Sequence, residues 1–282
     1  LLVSDGQKKR IQVLFVKLFW PLSQVRFNMR LAVFSDIHGN AIALEAVLRD
    51  ISKQSVDQMA CLGDVASMGP QPAEVMDMLI PLNSIFISGN HDEAMLQPER
   101  RNELGISPFV QPDFLWGLER LQASHFEFLK SFQSKVEINV TNEIQLLCCH
   151  GSPKSSTDFM HPGTPSDTLN RYFESCPATV IVNGHLHSQF HEIVQGRHMI
   201  NPGSVGMPFK VPPGPGCPPV MYPWAEYAVI SLTNDDSDGK MNVQVELRTV
   251  RYRFEKLKEI LLSSSLPGKN WWLEQLAQPE FM

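Results

Sequence analysis

Five short apolar runs constrain this chain more than any other feature, because each ends within two or three residues on Asp, Asn or His, nearly always beside a Gly. Leu31–Ser35 leads into Asp36-Ile37-His38, Gln58–Leu62 into Gly63-Asp64, and Ser84–Ser88 into Gly89-Asn90-His91-Asp92. Gln145–Cys149 leads into His150-Gly151, and Ala178–Val182 into Asn183-Gly184-His185-Leu186-His187. Runs this short and this apolar read as buried strands. Helical spacing separates the first three. Ala41–Lys53 places Ile42, Ala43, Ala46, Val47 and Ile51 on one face behind Asn40 as N-cap, and Ala73–Ile80 reads as a second helix. A strand–helix–strand–helix–strand start implies a parallel sheet with helices packed on it. Open sheets of that kind bind ligands beyond the carboxyl ends of their strands. His38, His91, His150, His185 and His187, five of the nine histidines, would therefore meet on one edge.

The remaining chain is read more coarsely. Residues 93–116 hold Pro98, Pro108, Pro112 and the pair Arg100-Arg101 with little periodicity, and read as an insertion over one edge of the sheet. Leu118–Phe132 returns to helical spacing, Lys135–Val140 and Glu143–Cys149 read as an antiparallel hairpin, and Thr168–Glu174 as a short helix. Gln189–Val194 and Arg197–Ile200 form another strand pair across Gln195-Gly196. Eight of the 21 prolines fall between Pro202 and Pro223, which excludes a central strand or a helix interior there. Two strands, Tyr227–Thr233 and Asn242–Val250, a helix at Phe254–Ser263, and a tail whose Trp271 and Trp272 pack back on the body complete the chain. The first methionine is Met29, and the apolar stretch Ile11–Leu22 before it is too short to span a membrane. Residues 1–28 are expected to be a poorly ordered or loosely attached extension. Residues 29–282 are expected to form one domain with insertions at about 93–116 and 205–223.

The formal charge of −6 argues against a nucleic-acid coat, which needs a basic face. The five cysteines show no C-x-x-C pair and no framework spacing, which points to a reducing compartment and hence to the cytoplasm.

Aspartate, imidazole and an amide oxygen together form a ligand set for borderline divalent ions such as manganese, iron and zinc. No thiolate stands at these positions, which disfavours a closed structural zinc site. Asp36 and His38, and likewise His185 and His187, are two apart and can point to one side of an extended segment. Seven such groups are too many for one catalytic ion with an open position. They suit two ions about 3.5–4 Å apart that share a carboxylate and stabilise both oxygens of an in-line displacement.

As a set, Asp36-Ile37-His38, Gly63-Asp64, Gly89-Asn90-His91-Asp92, His150-Gly151 and Gly184-His185-Leu186-His187 resemble the five motifs of the calcineurin-like metallophosphoesterases. Asp36-Ile37-His38-Gly39-Asn40, His150-Gly151-Ser152-Pro153 and Asn201-Pro202-Gly203-Ser204-Val205-Gly206 are similar to the compact bacterial phosphodiesterase branch. The resemblance implies an α/β fold, a four-layer α-β-β-α sandwich of two mixed sheets flanked by helices. It also implies that Asp36, His38 and His187 hold one ion, that Asn90, His150 and His185 hold the second, and that Asp64 bridges. A metal-bridging hydroxide would attack phosphorus. His91 would stabilise the pentavalent state or protonate the leaving oxygen, with Asp92 orienting it. Lys154 and Lys210 are candidate contacts for a substrate phosphate. The expected function is dinuclear hydrolysis of small phosphate esters, diesters first and monoesters second, with manganese as the first expectation for the metal and iron or zinc as alternatives. A non-catalytic scaffold of the same fold is the competing reading, and a nuclease ranks below it because Lys/Arg clusters near the motifs are lacking. The expected partner is a small phosphate ester, not a membrane or a nucleic acid; a homo-oligomer is left open.

Overall fold

Leu31, Ala32, Val33 and Phe34 are each fully buried, as the unbroken apolar run requires of a strand covered on both faces. Successive side chains of a strand point to opposite faces. Ala32 and Phe34 accordingly pack with the helices on one side, and Leu31 and Val33 with a second sheet on the other. A computed structural model describes residues 28–140, 144–214, 217–234 and 241–276.

The chain begins with β1 (Asn28–Phe34), α1 (Ala41–Ile51), β2 (Gln58–Cys61), α2 (Pro72–Leu79), β3 (Ser84–Phe86) and α3 (Asn90–Leu96). It continues through α4 (Gln111–Leu118), α5 (Ala123–Lys130), β4 (Lys135–Asn139), β5 (Gln145–Cys149), α6 (Ser166–Phe173), β6 (Val180–Asn183), β7 (Gln189–Val194) and β8 (Arg197–Pro202). A ribbon of β9 (Phe209–Val211) and β10 (Val220–Met221) precedes β11 (Ala225–Asn234), β12 (Met241–Val250), α7 (Phe254–Ser263) and α8 (Lys269–Leu276). One five-stranded sheet has the order β12-β11-β1-β2-β3 and the other β4-β5-β6-β8-β7. Both are mixed: β1 pairs parallel with β2 and antiparallel with β11, while β5 pairs parallel with β6 and antiparallel with β4.

Three apolar clusters fill the gaps between four layers. The largest lies between the first sheet and α1, α2, α3, α4, α7 and α8. A second, with Leu31, Val33, Leu146, Val180 and Ile230, lies between the sheets. The third packs Leu169 and Phe173 of α6 on Leu147, Ile181 and Met199 of the second sheet. The α-β-β-α sandwich is thus present in full. Cys148 faces the sheet interface and Cys149 the α6 side, so these neighbours point apart; all five cysteines are free thiols, four of them buried.

Several expected elements differ in detail. Residues 93–116 contain the end of α3, a 3-10 turn at Pro98–Arg100 and most of α4. Pro98 and Pro112 look like breakers but stand at the start of helical turns, where the missing N–H costs nothing. The expected helix over 118–132 is interrupted at 119–122 and resumes as α5. The proline-rich loop carries the short β9–β10 ribbon. Of the expected N-terminal extension, residues 1–27 lie outside the described residues, and Asn28 already belongs to β1, opposite Thr233 of β11.

The tryptophan-bearing helix α8 does pack back on the body. Trp272 is 1% exposed and its indole Nε1 donates to the Met68 carbonyl at 3.2 Å. Trp272→Ala is expected to destabilise the protein by about 3–5 kcal/mol through the cavity left behind, read as a shifted urea midpoint. An unchanged midpoint would show that α8 contributes nothing to the core.

Candidate metal centre

The site forms where β1, β2, β5 and β6 end and the α3 N-terminus begins, so both sheets contribute. Asp36 and His38 follow β1, Asp64 follows β2, Asn90 and His91 open α3, His150 follows β5, and His185 and His187 follow β6. The structure brings all seven expected ligands together in two clusters. Asp36, His38 and His187 form one, and Asp64, His150 and His185 the other, with ligand atoms in each cluster within 4.8 Å of one another. Asn90 Oδ1 joins the second, 3.2 Å from His150 Nε2.

Each carboxylate uses one oxygen to fix itself and aims the other inward. Asp36 Oδ2 accepts from the His185 amide at 3.0 Å, while Oδ1 is buried without a hydrogen-bond partner, 3.3 Å from His187 Nε2 and 3.9 Å from His38 Nε2. Asp64 Oδ1 accepts from the His91 amide at 2.9 Å. Its Oδ2 lies 3.4 Å from His150 Nε2 and 3.8 Å from His38 Nε2, between the two clusters.

The imidazoles are oriented from behind. His150 Nδ1 donates to the Leu62 carbonyl at 2.7 Å and His187 Nδ1 to the Met207 carbonyl at 2.8 Å, leaving each Nε2 toward the cluster. His38 Nδ1 is 3.1 Å from Ser67 Oγ. The Nε2 atoms of His38 and His187 face each other at 3.1 Å, and His185 Nε2 is buried without a partner. Buried acceptors converging without donors are costly unless a cation lies among them. The residues therefore fit a pair of divalent ions.

Electrostatics agree. Burial alone would raise the Asp36 carboxyl, but the His187 ring beside it brings it to about 2. Burial likewise opposes Asp64, yet His150 and His91 hold it well below the usual carboxylate range. His150 resists burial and is pushed up to about 10 by Asp64, so a cation entering here displaces a proton. Burial and the His150 charge push His185 down to about 3.

Supporting residues make this geometry possible. A Cβ on Gly89 would lie 2.0 Å from Asp64 Oδ1, and one on Gly184 3.0 Å from Asp36 Oδ2. The Asn201–Gly206 stretch ties the loops together: Asn201 Nδ2 donates to the Gly184 carbonyl, Ser204 Oγ to the Asp36 carbonyl, and the Gly206 amide to that same carbonyl. Leu104, from the 93–116 insertion, accepts from Asn90 Nδ2 at 2.9 Å and so turns Oδ1 of that amide toward the cluster.

His91 lies edge-on to His38 with centroids 5.1 Å apart, and its Nδ1 is buried without a partner. Asp92 departs from its expected role. Its carboxylate accepts from the amides of Asp64 (2.7 Å), Val65 (3.0 Å) and Gly89 (2.9 Å), so it clamps the β2 turn to the α3 N-terminus and does not orient the His91 ring. The two lysines also lie elsewhere. A cleft of about 480 Å³ opens on the clusters, and neither Lys154 nor Lys210 lines it. Lys154 Nζ is 3.5 Å from Glu174 at the surface, and Lys210 is exposed on β9. The cleft is walled by Gly105, Ser107 and Val110 from one insertion, Phe209, Pro212 and Pro213 from the other, and Phe159 and His161 from the loop after β5. Ser67, Leu104, Phe159 and His161 carry no motif that marks them in advance.

A two-sheet sandwich with paired histidine–carboxylate clusters at its carboxyl edge is the architecture of a metallophosphoesterase. The chain belongs to the calcineurin-like phosphoesterase superfamily, whose domain matches residues 29–217. It is 27% identical over 263 residues to an uncharacterized protein of Methanocaldococcus jannaschii, covering 87% of this chain and 96% of that one. A crystal structure of a metallophosphoesterase from Sphaerobacter thermophilus superposes with a TM-score of 0.62 at 24% identity, covering 88% of this chain and 98% of that one. A hypothetical protein from Pyrococcus horikoshii gives a TM-score of 0.65 at 18% identity, covering 85% and 94%. Among the described residues no helix is long and apolar enough to cross a membrane.

The buried histidines each make an acid-sensitive contribution to the stability of the metal-free protein. Burial holds His38, His91 and His185 below their ordinary value. As pH falls below about 6.5 the unfolded chain takes up protons that the folded one refuses, and stability drops. His150, raised by Asp64, acts in the opposite sense in another window: its contribution is complete below about 6.5 and fades as pH rises toward about 10. Burial raises Asp92 and Glu226 to about 7 and Asp113 to about 6, and these carboxyls act against the histidines over the same window because the folded protein protonates them first. The histidine effect is therefore read by difference: in chelator-treated protein His185→Asn is expected to lose less stability, or gain more, than the wild type between about pH 7 and pH 5. The same pH dependence of Tm in His185→Asn and the wild type would contradict this.

Proposed function

We propose that this chain is a dinuclear metal-dependent phosphodiesterase acting on small esters, with phosphomonoesters as secondary substrates. The observation that carries the reading is the position of Asp64 Oδ2 between two clusters, in one of which Asp36 Oδ1 and in the other His185 Nε2 is buried without a hydrogen-bond partner. Asp36, His38 and His187 would hold one ion, Asn90, His150 and His185 the other, and Asp64 both. Bound there, two divalent ions supply a nucleophile at neutral pH and stabilise the attacking and leaving oxygens of an in-line displacement. Imidazole, carboxylate and amide ligands without thiolate suit manganese, with iron and zinc as alternatives.

The chain's own groups do the rest. Burial lowers His91, so its ring is neutral and carries one N–H. That N–H would donate a hydrogen bond to a phosphoryl oxygen and so stabilise the charge that builds there; protonating the leaving oxygen would require the minority imidazolium form of the ring, which returns to the neutral imidazole afterwards. Asp92 keeps the loops bearing Asp64 and His91 in register through its three amide contacts. Among the described residues no Lys or Arg lines the cleft, which favours a singly charged diester over a doubly charged monoester.

Protein purified without chelators and supplied with manganese is expected to hydrolyse an aryl phosphodiester. Asp64→Asn is expected to lower that rate by about 10³-fold or more, because the shared carboxylate serves both ions. His91→Gln is expected to lower kcat by about 10²–10⁴-fold with metal content retained, as measured by elemental analysis. Wild-type rates in Asp64→Asn would sink the assignment. Less than about one bound ion per chain, with no activity after manganese addition, would favour a scaffold of the same fold.

A further inference from the structure

The cleft does not end at the candidate metal centre. Met68, Ser107, Val110, Phe209 and Pro213 line it and also line an adjoining lobe of about 390 Å³. The far side of that lobe is built by Pro267 and by Trp271 and Trp272 of α8, and Phe109, Pro112 and Pro219 complete an apolar wall. Phe209 joins the two spaces: its ring stacks on His187 with centroids 4.4 Å apart and planes 23° from parallel. An apolar, partly aromatic wall thus runs from a candidate ligand to the C-terminal helix.

A phosphoryl group at the metal centre needs none of this surface. A second phosphate could not use it either. Among the described residues no Lys or Arg lines either space, and the one carboxylate among those lining the lobe, Asp113, would repel an anion. Asp113 is spoken for in the fold, since its Oδ1 accepts from the Gly268 amide at 2.6 Å. What fits the lobe is a neutral apolar group of limited size, attached to the phosphorus held next door.

We infer that this lobe receives the apolar, ring-bearing alcohol of the phosphodiester, making the substrate a singly charged aryl-type ester and not a polyphosphate or a nucleic-acid strand. The inference rests on the phosphoesterase reading of the metal centre. Phe209, Val110 and Trp271 become specificity-determining residues that act on binding of the alcohol.

Two phosphonates with the same head group separate the lobe from the metal centre. Naphthylmethylphosphonate is expected to bind manganese-loaded protein about 10- to 100-fold more tightly than methylphosphonate by calorimetry, the gain from burying one ring system. Asn270→Trp, at an exposed position lining the lobe, fills the space from its rim, and Trp271→Ala removes a wall. In both variants the advantage is expected to shrink below about threefold. The ratio of kcat/KM for naphthyl over methyl p-nitrophenyl phosphate is expected to fall in parallel. Equal binding of the two phosphonates by the wild type overturns the inference, and so does an advantage that survives in both variants. Absence of any diester hydrolysis would instead overturn the reading of the metal centre, while the phosphonate titration, which needs no turnover, still decides the lobe.

Discussion

Asp36, His38, Asp64, His185 and His187, five of the seven candidate ligands, have φ between 46° and 67°, in the left-handed region. Aspartate and histidine enter it more readily than branched residues do, yet such conformations cost about 1–3 kcal/mol each and persist only where the surroundings impose them. Here the surroundings are other strand ends. The Asp36 amide donates to the Gly63 carbonyl at 2.9 Å, the His38 amide to Asp64 at 3.0 Å, and the Gly184 amide to His150 at 2.8 Å. Each sharp turn is held by a neighbour that is itself turning. The inward carboxylate oxygens, the backed imidazoles and the tight approaches at Gly89 and Gly184 all follow from this mutual bracing.

The same constraint explains what was legible in the sequence. A ligand at a strand end is announced locally, by an apolar run that stops on Asp, Asn or His, nearly always beside Gly, so all seven candidates could be read from short stretches, and the four-layer fold followed from the family resemblance those stretches carry. Groups acting from a distance carry no such mark. Leu104 serves through its carbonyl, which any residue offers, and Ser67 is one serine among many. Asp92 was legible as part of a motif but not in its direction, because the three amides that capture it belong to two loops that meet only in the folded chain. Lys154 and Lys210 stand near motifs in sequence, but Lys154, in the loop after β5, and Lys210, on β9, do not line the cleft. The helices within 93–116 were hidden by prolines that begin turns and do not end them.

Charge and shape divide the work around the site. The chain carries a formal −6, and among the described residues no lysine or arginine lines the cleft to meet an incoming anion. Attraction for a phosphate must therefore come from whatever cations the buried histidine–carboxylate clusters hold, and it is local. Selectivity is left to the insertions, whose walls are mostly apolar. Sequence variation there can change the preferred alcohol without touching the seven groups at the strand ends.

Both clusters draw on both sheets. Asp36 and His38 hang from the first sheet and His187 from the second, and Asp64 and Asn90 face His150 and His185 across the same divide. Away from the site the sheets meet through an apolar core and through Gln189 of β7, whose Nε2 donates to the carbonyls of Tyr227 on β11 and Arg248 on β12, and no disulfide is present among the described residues. Ions seated in these clusters would rivet one layer to the other, a mechanical task that cystine bridges perform in secreted domains. The reagent and the fastener would then be the same atoms, so that a layer drifting out of place would shed its chemistry before it shed its fold.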